Sequence, residues 1–171
     1  MKSARTSPAE SRTGLPQHQR CPVAKRIRLG DVVEIETHKG LFYAQYTHSN
    51  AEYGSLIRVL DGVHEERPGD LEVLVLRPTR YVLFTVLQPA VNRGVFRVIG
   101  NCPVPEHARQ FPLFRSGWED PRTGEVSAWW LWDGTTSWKA GTLTEDQMRY
   151  PERGIWTDQL VIDRLEDGWN P

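Results

Sequence analysis

Apolar and polar residues begin to alternate near Ile27, after a start that carries no such pattern. Asp31 to Glu36 (DVVEIE) half-alternates, which suits a strand. The Gly-containing turn THKG then leads into Leu41 to Thr47 (LFYAQYT), a return strand rich in aromatic residues. The two predict a hairpin. Gly54 to Leu60 (GSLIRVL) predicts a third strand, stopped at Asp61-Gly62 by a loop without apolar pattern. Leu71 to Leu76 (LEVLVL) and Arg80 to Leu87 (RYVLFTVL) are long apolar runs, and their β-branched and aromatic content predicts strands rather than helices. Val95 to Ile99 (VFRVI) adds another.

Pro103, Pro105, Pro112 and Pro121 then break the pattern, leaving room for one helical turn around Glu106 to Arg109 and a long shaped loop. Ala128 to Trp132 and Thr135 to Lys139 flank Asp133-Gly134, a dipeptide suited to a tight turn, and predict a second hairpin. Thr144 and Gln147 spell a capping box, in which the hydroxyl accepts from the third helical N–H while Gln reaches back. A short helix should run from there to about Tyr150, where Pro151 ends it. Gln159 to Leu165 (QLVIDRL) predicts a last strand. The expected fold is mostly β, α+β at most: an antiparallel, strongly curved sheet or small barrel with one or two short helices.

Aromatic content and charge sharpen this picture. All seven tryptophans, at 118, 129, 130, 132, 138, 156 and 169, fall in the last 54 of 171 residues. Strand alternation places Trp130 and Trp132 together on a core face and Trp129 on the other. Seven basic residues against Glu10 give residues 1 to 28 a charge of +6, so a chain of net charge −1 leaves −7 on the remainder. The Ser-, Pro-, Arg- and Gln-rich start predicts a disordered basic arm over 1–26, followed by one domain over 27–171. No apolar run suits an export signal or a membrane span, so a cytoplasmic location is expected. Cys21 and Cys102 form neither a disulfide framework nor a metal-ligand spacing.

Local chemistry is sparse. His18, His38, His48, His64 and His107 form no HxH, HExxH or HxxxH pair, so a metal site would have to be assembled through the fold, with His64 meeting His107 or Asp120. Ser116 lacks the frame of a nucleophile elbow, and Cys102 suits a small core residue. Acids stand beside the rings in Trp118-Glu119-Asp120, Trp132-Asp133 and Trp156-Thr157-Asp158, which would repel phosphates and argues against nucleic acid. The same pairing suits a basic partner, since a Lys or Arg can stack on indole and pair with the acid.

The segment from Arg28 to Gly62 resembles the opening of a bacterial family known as immunity protein twenty-six. The residues that match are Gly30, Asp31, Val32, Ile35, Gly40, Tyr43, Ala44, Tyr46, Gly54, Leu56 and Ile57. FRVIGNCPVPE and the Trp-rich end extend the resemblance to residues 28 to about 169. It implies a small cytoplasmic β-rich protein that binds and inhibits a toxin delivered by competing bacteria. Trp118, Asp120, Trp129, Asp133, Trp156 and Asp158 are the candidate contacts for a basic toxin surface. The same family resembles the HocA type of small phosphotriesterase, which implies hydrolysis of a neutral organophosphate. For that reaction His64, His107, Asp120 and Arg115 are the candidate residues. No cofactor is evident, and a divalent metal is expected only for the hydrolase. Neither nucleic acid nor membrane is an expected partner.

Overall fold

The computed structural model describes residues 26–170. The arm expected over 1–26 lies outside them but for Arg26. Nine strands are described: β1 (Asp31–Thr37), β2 (Gly40–Asn50), β3 (Gly54–Leu60), β4 (Thr79–Thr85), β5 (Phe96–Asn101), β6 (Phe114–Glu119), β7 (Val126–Trp132), β8 (Ser137–Gly141) and β9 (Ile155–Trp156). Four short helices accompany them: α1 (Leu71–Val75), α2 (Leu87–Asn92), α3 (Glu145–Met148) and α4 (Asp158–Glu166). A single 3-10 turn covers Glu106–Ala108.

The strands make two sheets. The main sheet runs β5-β1-β2-β3-β4-β9, antiparallel except where β9 joins β4, and the small one runs β6-β7-β8. Their order shows an open, mostly β fold rather than a closed barrel, with β5 and β9 as free edges. Bulges in the β1–β5, β2–β3 and β3–β4 pairings add local twist.

Alternation along the central strands sends Val33, Ile35, Ala44, Tyr46, Ile57, Val59 and Leu83 to one face. There α2 and α4 cover them with Leu87, Ala90, Val161 and Leu165. The opposite face is covered in two places. α1 packs Leu74 and Val75 on Val32, Tyr43 and Leu60, and the small sheet packs Phe114 and Trp132 on Leu56 and Phe84. A sheet buried on both sides explains why its strands read as near-continuous apolar runs. It also forces three polar side chains inside, since Glu34, Gln45 and Arg58 all project from this second face and are buried.

Two predicted strands are helices. Leu71 to Leu76 forms α1 because Asp70 Oδ1 accepts from the N–H groups of Glu72 (2.9 Å) and Val73 (3.1 Å). Leu71, Leu74 and Val75 then face inward at helical spacing while Val73 and Leu76 stay exposed. Gln159 to Leu165 lies in α4, which Thr157 caps through Leu160 N–H at 3.2 Å. The run Arg80 to Leu87 leaves the sheet after Thr85, and Leu87 opens α2. Phe114–Glu119, expected within a loop, is β6. Among the described residues no helix is long and apolar enough to cross a membrane.

Candidate functional site

The small sheet carries four of the tryptophans in β7 and β8, and a fifth in β6. Its inner end is core: Phe114 stands opposite Trp132, and both rings join Phe84, Phe111 and Tyr53 in one aromatic cluster. Beyond that pair the sheet leaves the body. Ser116 stands opposite Trp130, which faces the same way as Trp132 yet is 45% exposed. The expectation that Trp130 is core is thereby corrected: alternation gave its side, but only Trp132 of the two belongs to the cluster packed on the main sheet. Trp118, at the register shift between Gly117 and Glu119, is 78% exposed, and Trp138, opposite Leu131, is 38% exposed.

Trp129 is occupied within the chain. It lies against Gly117, where a Cβ would come within 2.9 Å of the indole, and the Arg115 guanidinium sits 5.0 Å from its ring centre. Arg115 also donates to the carbonyl of Tyr150 (2.9 Å) and pairs with Glu152 (3.0 Å). Trp156 packs on Trp169, with ring centres 5.3 Å apart, and near Tyr81 at 6.1 Å. These three rings and Arg115 line a cavity of about 310 Å³. Burial pushes the Tyr81 phenol up to about 12.

The acids beside the rings have local work. Asp133 accepts from the N–H groups of Thr135 (2.9 Å) and Thr136 (2.7 Å), closing the β7–β8 turn, and these bonds hold its carboxyl below the usual range. Asp120 accepts from Arg122 N–H at 2.8 Å in the β6–β7 turn. Asp158 pairs with Arg93 at 2.7 Å, which lowers its carboxyl too. Asp133 remains exposed, whereas Asp158 is half-buried.

His64, His107, Arg115 and Asp120 do not converge. His64 bridges to Leu41 and meets Tyr43 edge-on at 5.3 Å, beside α1; burial and then Arg77 depress its pKa. His107 lines a different cleft, Arg115 borders the cavity of Trp156, and Asp120 sits in the β6–β7 turn. Among the described residues no three His, Cys, Asp or Glu side chains gather as a metal site.

The cleft at His107 has chemistry that the sequence pattern did not flag. It lies on the second face between strands β2, β3 and β4 and the segment from His107 to Pro112, holds about 180 Å³, and Arg58 lines it although only 1% exposed. Arg58 Nε donates to Gln45 Oε1 at 3.1 Å. Its Nη1 reaches Thr79 Oγ1 (3.2 Å), His107 Nε2 (3.3 Å) and the Arg77 carbonyl (3.4 Å), and its Nη2 donates to the Val75 carbonyl. Since an arginine only donates, His107 Nε2 is the acceptor in this contact. Burial lowers the guanidinium to about 10.

No family model, curated protein or solved structure matches the chain. The signal for Arg58 was nonetheless in the sequence: a charged residue between Ile57 and Val59 in GSLIRVL. In a strand covered on both faces such a residue has no solvent side to occupy.

Proposed function

We propose that the protein is a cytoplasmic, bacterial immunity-type protein that binds and neutralises a toxin, and that its contact surface is the outer part of the β6-β7-β8 sheet. The observation that carries this reading is the exposure of Trp118 and Trp130 on one small sheet beyond the core, with Trp138 exposed on its other face. A large ring held in water gains when a partner covers it, and such rings are typical anchors of protein interfaces. The excess of seven negative charges outside the first 28 residues suits a basic toxin surface and would steer the encounter. Trp129 and Asp133 shape this surface from within. Trp156 and Asp158, engaged with Trp169 and Arg93, are less available to a partner.

The test is binding between the purified chain and the product of the gene adjacent to its own. Trp118→Ala and Trp130→Ala should each weaken the complex by about 2 kcal/mol, roughly thirtyfold in Kd, at unchanged melting temperature. Wild-type affinity in both variants would overturn this placement of the surface.

The aromatic cavity of Tyr81, Trp156 and Trp169 with Arg115 favours a second reading, a small phosphotriesterase that holds a neutral organophosphate between the rings. Among the described residues no three His, Cys, Asp or Glu side chains gather around this cavity to hold a divalent metal. A chromogenic phosphotriester decides: turnover that Arg115→Ala removes supports hydrolysis, and no turnover with or without added divalent metal ends it.

A further inference from the structure

Arg58 differs from the other paired arginines of the fold. Arg67 and Arg97 meet Glu34, Arg93 meets Asp158, Arg115 meets Glu152, Arg149 meets Asp146, and Arg153 meets Glu52. Arg58, the most deeply buried of them, has only neutral acceptors among the described residues. A guanidinium withdrawn from water without a counter-charge is costly. The carbonyls at the end of α1 offset part of that cost, as helix C-termini do for cations. They do not complete it, because Nη2 has two hydrogens and, among the described residues, only the Val75 carbonyl accepts from it.

The space beside this group is a cleft with further donors. Thr79 Oγ1 accepts from Arg58, which leaves its hydroxyl proton for a ligand. Gln110 lines the entrance with an exposed amide, and His107 stands over Arg58 on the 3-10 turn. Among the described residues no carboxylate lines the cleft. We propose that this cleft binds the oxyanion group of a small molecule, a phosphate or a carboxylate, seated against Arg58, Thr79 and Gln110. Either group supplies the missing negative charge and can accept from the remaining Nη2 hydrogen and from the Thr79 hydroxyl. The site is independent of the toxin-binding surface, and Trp118→Ala should leave it unchanged.

The test is titration of the full chain with inorganic phosphate, and separately with acetate, at fixed ionic strength, followed by the Arg58 Nε–Hε resonance and by calorimetry. Saturable binding that moves this resonance is expected, and the stronger of the two anions identifies the group. Arg58→Met removes buried bonds and is a poor test because it can unfold the chain. Gln110→Glu instead places a negative charge at the entrance from an exposed position and should weaken binding at least about tenfold at unchanged melting temperature. Gln110→Lys should strengthen it. No saturation with either anion, the same response to chloride, or equal affinity in Gln110→Glu would overturn the site.

Discussion

Glu34 shows how a buried charge is held when its counter-charge is present. Arg67 binds it through two bonds of 2.7 Å, Nε to Oε2 and Nη2 to Oε1, while Tyr43 donates at 3.1 Å and Arg97 lies at 3.5 Å. The Arg67 bonds outweigh burial, so the carboxyl sits below its ordinary 4.5. An unfolded chain therefore takes up this proton first as pH falls. The stabilisation is complete above about pH 4.5 and is lost as pH drops through the lower folded value. Glu34→Gln should cost about 1 to 2 kcal/mol near pH 7, a figure discounted because Arg67 is half exposed. Thermal unfolding of both proteins across pH 3 to 7 checks this, and the gap should close in acid. A gap of constant size would mean that shape, not charge, sets the cost. Glu34, Gln45 and Arg58 were each visible as polar breaks in apolar strands, but their common face emerges only once the register aligns Gln45 with Arg58 and Glu34 with Tyr43.

At the scale of elements, what was legible depended on which signal stood alone. The hairpin at THKG, the turn at Asp133-Gly134 and the Thr144–Gln147 capping box all formed where their chemistry placed them. α1 and α4 were misread because their short apolar runs fit either period, and Asp70 and Thr157 decide each case through their caps. α4 matters most, since Val161 and Leu165, one turn apart, close the first face of the sheet. Thr157→Ala removes the acceptor for Leu160 N–H and should lower stability by about 1 kcal/mol. Thr157→Ser should restore most of it, as chemical denaturation would report. If the two variants were equally destabilised, the methyl group rather than the cap would be the cause.

At the scale of the molecule, the question is what joins the small sheet to the large one. Two of the connections are structural joints between ordered elements. Arg115 exchanges backbone bonds with the segment beside it, accepting from Arg153 N–H (2.8 Å) and donating to the Pro151 carbonyl (2.9 Å). That segment runs on into β9, which pairs with β4. The second connection is Trp132, set among Phe84, Phe111, Phe114 and Tyr53, with the Arg153 guanidinium 4.4 Å from its ring centre. Trp132→Ala should cost about 3 to 5 kcal/mol, as truncation of a buried indole does. The loss should be local first, because the α2 and α4 side of the main sheet does not touch this cluster. Hydrogen exchange should therefore accelerate across β6, β7 and β8 while β1 and β2 keep their protection. In the intact protein this joint fixes the sheet that presents Trp118 and Trp130, so Trp132→Ala should also weaken the proposed toxin binding without removing a proposed contact residue, whereas Trp132→Phe should retain most of both properties. Uniform acceleration in all strands would instead mean that the two sheets unfold as one cooperative unit.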